Sequence, residues 1–217
     1  MSDPRGRGIV AAIAVGTVVV FAVLGGIMLR PFLIDDRPAQ DPALSVVETG
    51  FVQDMLGHHR QAVEMGKLID RPGIDDTVRS LGRQIAQAQQ FEMGTMAGWL
   101  QLAGEPLDNP APMSWMQRYP GAGESPHVHD QDLGSHDMPG MATADEVAEL
   151  GALPPQDAEN RFLQLMQRHH YGGIAMAQDL TAQVPDGVVA RLATSMVNSQ
   201  SKETGLIGVL LTERGGI

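Results

Sequence analysis

The chain opens on an unbroken apolar run and then changes to helical periodicity. From Gly8 to Met28 it reads GIVAAIAVGTVVVFAVLGGIM, twenty-one residues without a charge, which at 1.5 Å per residue matches the hydrocarbon thickness of a bilayer. The run has no polar face and is bracketed by Arg5, Arg7 and Arg30, so it predicts a transmembrane helix rather than a buried core helix. It is longer than a signal-peptide core, and no small-residue cleavage site follows in MLRPFLIDDRPAQ, which favours an uncleaved anchor (8–28) over a cleaved signal. Arg30 and Arg37 balance Arg5 and Arg7. The short tail (1–7) therefore decides the orientation, with the amino end inside and the rest of the chain extracytoplasmic, on the periplasmic or cell-surface side.

After a Pro-containing tether (29–44), Ser45-Val-Val-Glu48 reads as a capping box that starts a helix, and Asp70-Arg71-Pro72-Gly73 stops it. A second helix runs to about Leu102. FVQDMLGHHRQAVEMG (51–66) overlays FLQLMQRHHYGGIAMA (162–177) at an offset of 111 residues, and LGRQIAQAQQFEMGTMAGWL (81–100) overlays LATSMVNSQSKETGLIGVLL (192–211) at the same offset. Eleven identities over 36 aligned positions, against roughly two expected from average composition, mark an internal duplication. Each copy is a helical hairpin, the first over 45–103 and the second, led by a short helix that Thr143 and Glu146 cap, over 143–213. Two hairpins related by a pseudo-two-fold axis predict an all-α fold, a four-helix bundle preceded by the membrane helix.

The stripes place chemistry at the bundle centre. Phe51, Met55, His58, Ala62 and Met65 follow 4-3-4-3 spacing with His59 beside them, and Phe162, Met166, His169, Gly173 and Met176 repeat it with His170. On the partner helices Leu81, Ile85, Glu92, Met96 and Trp99, and Leu192, Met196, Glu203, Ile207 and Leu210, put Glu92 and Glu203 among apolar residues. Gln89 and Gln200 lie one turn earlier. A buried carboxylate without a partner costs several kcal/mol, so the two Glu call for cations, hydrogen-bond donors or a metal.

Composition narrows the classes. A formal charge of −11 with only 15 Lys and Arg excludes an electrostatic footprint for nucleic acid. With no Cys, any metal must sit on His, Met, Asp, Glu or backbone oxygen. Thirteen Met against nine aromatics supply a residue that is both a pliable core filler and a soft thioether ligand. The linker (104–142), whose stretch from Gly104 to Gly140 carries six Pro and five Gly, is a long loop. It carries His127, His129 and His136-Asp137-Met138-Pro139-Gly140-Met141, either a secondary metal site or a solvated loop. No phosphate loop, nucleophile elbow or H-E-x-x-H motif points to an enzyme.

The doubled M-x-x-H-H-x-x-A-[VI]-x-M and Q-x-x-E-x-x-x-x-x-x-L patterns, with MPGM before the second copy, resemble the domain-of-unknown-function family DUF305 over roughly residues 45–213. The resemblance implies a ferritin-like four-helix bundle and a bacterial, extracytoplasmic protein, anchored or secreted. Some members of the family are linked to copper binding or tolerance.

A ferritin-like bundle invites a di-iron reading, with Glu-x-x-His on two helices. Here Met55 and Met166 stand three residues before His58 and His169, so both motifs are Met-x-x-His. Thioether in place of carboxylate moves the preference from iron towards copper, with zinc still compatible with His and Glu. The candidate ligands are His58, His59, His169, His170, Glu92, Glu203, Met55, Met65, Met166 and Met176, with His127, His129, His136, Met138 and Met141 as the loop set. The expected function is copper buffering or relay by an anchored extracytoplasmic bundle. Alternatively the His/Glu centre is a structural network in a non-catalytic module that docks on a membrane protein complex, with Trp115 and Tyr119 as interface aromatics. A metal-dependent oxidase is a third, weaker reading.

Overall fold

The structure, a computed structural model, describes residues 44–116 and 138–215. The expected membrane helix (8–28), His127, His129, His136 and Tyr119 lie outside the described residues. Among the described residues no helix is long and apolar enough to cross a membrane.

Five helices follow one another: α1 (Val46–Ile69), α2 (Asp76–Ala103), α3 (Ala144–Ala152), α4 (Pro155–Gln183) and α5 (Val188–Glu213). Both expected capping boxes are formed. Ser45 accepts from the Glu48 amide while Glu48 returns to the Ser45 amide, and Thr143 and Glu146 do the same at α3. A cap of this kind stabilises a helix start by about 1 kcal/mol. Gly73, at φ 89°, turns the chain after α1, and Asp75 caps α2 through the amides of Thr77 and Val78. Pro155 opens α4, where its missing N–H costs nothing.

Hairpins α1–α2 and α4–α5 pack side by side, with α1 against α4 at the centre and α3 laid across both. Two apolar clusters fill the bundle. One holds Met65 and Ile69 from the end of α1, Leu81 and Ile85 from the start of α2, Phe162 and Met166 from the start of α4, and Ile207 and Leu211 from the end of α5. The other holds Phe51 and Met55, Met96 and Leu100, Met176 and Leu180, and Val189 and Met196. The start of α1 therefore meets the end of α4, and the start of α2 shares a cluster with the end of α5. This is the antiparallel arrangement that a pseudo-two-fold axis through the middle of α1 and α4 requires, with one long crossover between the hairpins.

The crossover is pinned before and after its undescribed part. Gln53 donates to the Pro106 carbonyl at 2.8 Å. The buried Asp54 carboxylate accepts from the Met113 amide at 2.7 Å and from Trp115 Nε1 at 2.8 Å. Trp115, only 1% exposed, meets Phe51 edge to face at 5.6 Å. The expectation of Trp115 as an interface aromatic is thus corrected: its indole N–H has found a partner inside the fold. On the far side the Gln61 amide holds both the N–H and the carbonyl of Ala142 at 2.7 and 2.8 Å.

Candidate metal centre

Between the two apolar clusters the core turns polar. His58 and His59 from α1, His169 and His170 from α4, Gln89 from α2 and Gln200 from α5 are all buried. Adjacent residues on a helix point about 100° apart, and the two members of each His pair accordingly do different work. His58 and His169 face each other across the α1–α4 interface, ring centroids 3.7 Å apart and planes inclined by 34°. His59 and His170 turn to the second helix of their own hairpin. His59 Nε2–H donates to Glu92 Oε2 at 2.7 Å and His170 Nε2–H to Glu203 Oε2 at 2.6 Å. The duplication thus reproduces a contact as well as a sequence.

The central pair breaks the symmetry. His169 Nε2–H donates to the His58 carbonyl at 2.9 Å. The equivalent acceptor for His58 would be the carbonyl of His169, but His58 Nε2–H donates instead to the Pro139 carbonyl of the crossover, at 3.1 Å. Room for that strand of linker comes from Gly172, where a Cβ would lie 1.9 Å from the Pro139 oxygen, and from Gly140, at φ 78° and close against the Arg168 carbonyl. The position equivalent to Gly172 in the first copy is Gln61, whose side chain grips the same segment two residues further on. The MPGM segment is therefore seated on the His layer.

A carbonyl or carboxylate oxygen can only accept, so the proton of each imidazole resides on Nε2. Among the described residues all four Nδ1 atoms are buried without a hydrogen-bond partner, as are both polar atoms of Gln89 and of Gln200. Burial pushes His58 down to about 3, with His59 and His170 nearby adding to the effect against the Pro139 hydrogen bond. Burial likewise holds His169 well below the ordinary imidazole range, helped by His58. The central two rings are neutral at pH 7, each with a bare Nδ1 lone pair. Buried polar atoms are nearly always paired, so this many orphans in one layer set it apart from the apolar clusters on either side. A histidine that binds metal through one nitrogen commonly donates the other N–H to a carboxylate or a backbone carbonyl, and all four have that arrangement.

Several expectations change. Glu92 and Glu203 are at the edge of the layer, with side chains 15% and 23% exposed, and each is engaged by an imidazole N–H. They are not buried carboxylates in search of a cation. The four methionines are buried but do not gather at one point: Met55 and Met176 flank the layer on one side, Met65 and Met166 on the other. Among the described residues no group of three or more His, Asp or Glu is disposed to hold a metal ion. What the layer offers is imidazole nitrogen with thioether sulfur above and below it. Of the loop set, Met138 packs against the apolar cluster that holds Met55 and Met176, with its ε-methyl close to Gly57, and Met141 is half-buried. The roles of the Pro139 carbonyl and of Gly172 are not legible in the pattern of residues, because a carbonyl acceptor and a gap for it are properties of the assembled fold. Asp54 had a signal only in hindsight, as an acid next to an apolar stripe.

The arrangement has relatives. The model of the family described as Domain of unknown function (DUF305) matches residues 48–210. A DUF305 protein from Streptomyces coelicolor, inferred to be secreted, is 41% identical with a TM-score of 0.66, over 78% of this chain and 94% of that one. A DUF305 fragment from Deinococcus radiodurans is 32% identical with a TM-score of 0.63, over 79% and 99%. CopM in its Cu(I)-bound form is 18% identical with a TM-score of 0.55, over 76% and 96%, a likeness that establishes the fold alone. No curated protein sequence matches the chain. With its family model covering both hairpins and the His layer between them, the chain belongs to the DUF305 family.

Proposed function

We propose that this protein is a membrane-anchored, extracytoplasmic copper-binding bundle that buffers or relays the ion through its His layer. The observation that carries the reading is the set of four buried Nδ1 atoms left without partners while every Nε2–H is committed to an oxygen. In this reading His58, His59, His169 and His170 offer their Nδ1 atoms to the ion singly or in pairs, since no three of these side chains converge among the described residues. The thioethers of Met55 and Met176, or of Met65 and Met166, add soft donors, and Glu92 and Glu203 orient His59 and His170 from behind. Structural zinc asks for four His, Cys or carboxylate ligands, whereas thioether with imidazole suits Cu(I). CopM, of the same fold, has Cu(I)-, Cu(II)- and Ag-bound forms. The secreted character inferred for the Streptomyces protein and the apolar run at 8–28 favour a site outside the cytoplasm.

The test is titration of the full chain in detergent with Cu(I), Cu(II) and Zn(II), beside the double variant His59→Ala/His170→Ala. Stoichiometric Cu(I) binding that the variant loses is the expected result. Unchanged stoichiometry and affinity in the variant would exclude the His layer, and no binding by either protein would make it a structural network.

A further inference from the structure

The duplication supplies an internal comparison between the two ends of the bundle. Positions 111 apart occupy equivalent places, and several apolar ones carry the same residue at both ends: Phe51 and Phe162, Leu100 and Leu211, Met55 and Met166. Others differ, among them Val52 and Leu163, Ile69 and Leu180, and two exchanges of methionine for isoleucine. Met96 answers to Ile207, and Met196 answers to Ile85. In both cases isoleucine is at the end holding Met65 and Met166, and methionine is at the end holding Met55 and Met176. Ile and Met are close in volume, and such swaps cost little in packing. Both exchanges run the same way, and each adds a thioether to the same end.

The same end receives four more thioethers. Met93 from α2, Met113 and Met116 from the segment after α2, and Met138 from the segment before α3 are half-buried against it. Met113 has a φ of 61°, a left-handed conformation that is strained for a non-glycine residue. The Asp54 carboxylate holds it there through its amide. Asp54 is 3% exposed, and it places an acidic group next to an otherwise apolar cluster, where a bound cation would need one.

We infer that this end of the bundle is a second binding site, made of thioethers, for a soft monovalent cation of the Cu(I) or Ag(I) class. Met96 and Met196 form its floor, and Met93, Met113, Met116 and Met138 form its solvent-facing rim. Thioether sulfur selects soft ions and leaves Zn(II) and Cu(II) to imidazole and carboxylate. The site is distinct from the His layer, which it adjoins through Met55 and Met176, and it does not depend on that layer binding metal.

Silver is the probe, because it is soft, monovalent and redox-inert. The full chain, labelled at the methionine ε-methyl carbons, is titrated with Ag(I) and followed by NMR. Ligation moves the resonances of Met96, Met113, Met116 and Met196 within the first equivalents, and Zn(II) leaves them in place. The variant Met96→Ile/Met196→Ile/Met113→Leu/Met116→Leu, which copies the opposite end at the floor, binds one silver ion fewer. His59→Ala/His170→Ala keeps the ε-methyl shifts, so failure of the His layer and failure of this site read out separately. Methyl resonances that stay in place through saturation of the wild-type chain would overturn the inference, as would an unchanged silver count in the four-position variant.

Discussion

The imidazoles of His58 and His169 lie 3.7 Å apart across the α1–α4 interface, and among the described residues each is hydrogen-bonded to a backbone carbonyl and not to a carboxylate. Both are held below their ordinary range in the folded chain, His58 at about 3. The unfolded chain takes up protons near pH 6.5, the folded one only well below it. The stabilisation is complete above pH 6.5 and is lost as pH falls from there. Each such histidine contributes a slope of about 1.4 kcal/mol per pH unit in that window. Urea unfolding at pH 7.5, 6 and 5 should show stability falling by about twice that per unit at the acid end. A flat profile between pH 7.5 and 5 would contradict the burial of these two rings.

Gly172 tests the seating of the crossover. A methyl group there would lie 1.9 Å from the Pro139 oxygen and 2.8 Å from the Gly140 nitrogen, both backbone atoms that cannot rotate away. Gly172→Ala should expel the Pro139 carbonyl from His58 and leave Nε2–H unsatisfied, at a cost of about 1–3 kcal/mol. Denaturant melts check the loss. The His58 imidazole proton, followed by NMR, should lose its protection in the same variant.

Asp54 anchors the segment that follows α2. Asp54→Ala removes the acceptor for two N–H groups, those of Met113 and Trp115, each worth about 1–3 kcal/mol when left unsatisfied in the interior. We expect a loss of stability and a red-shifted Trp115 emission as the indole gains water, read in a Trp99→Phe background. Asp54→Asn keeps an oxygen acceptor and should fall between.

Glu92 and Glu203 separate ligands from the residues behind them. As partners of His59 and His170, their joint replacement by Ala should weaken Cu(I) binding about 10–100-fold with its stoichiometry intact. Replacement by Gln, which can still accept from Nε2–H, should recover most of the affinity. If either carboxylate bound the ion directly, the Ala variant would change the stoichiometry and Gln would not rescue it.

The periodic and repeated parts of the molecule were open to sequence reasoning. The Ser45/Glu48 and Thr143/Glu146 boxes, the stop at Gly73 and the 111-residue offset are local or self-referential signals, and they led to the bundle. The stripes placed Met55, His58 and Met65 in the core for the same reason. The division of labour within His58-His59 and His169-His170 was not readable, because which member faces the other hairpin depends on the rotation of α1 against α4. Glu92 and Glu203 looked buried because a stripe records which face a residue is on but not how far from its midline. Trp115 looked free because its partner, Asp54, is 61 residues away on a helix whose pattern gives no hint of the contact.

Nitrogen NMR on the histidine-labelled chain, before and after one equivalent of Cu(I), reports on each imidazole of the His layer. Ligation through Nδ1 should move the Nδ1 resonances of the buried histidines from the bare-lone-pair range to the metal-bound range. Every Nε2 should stay protonated, that of His59 still coupled to Glu92 and that of His170 to Glu203. Nδ1 signals unchanged by Cu(I), or Nε2 atoms that lose their protons to the metal, would contradict it.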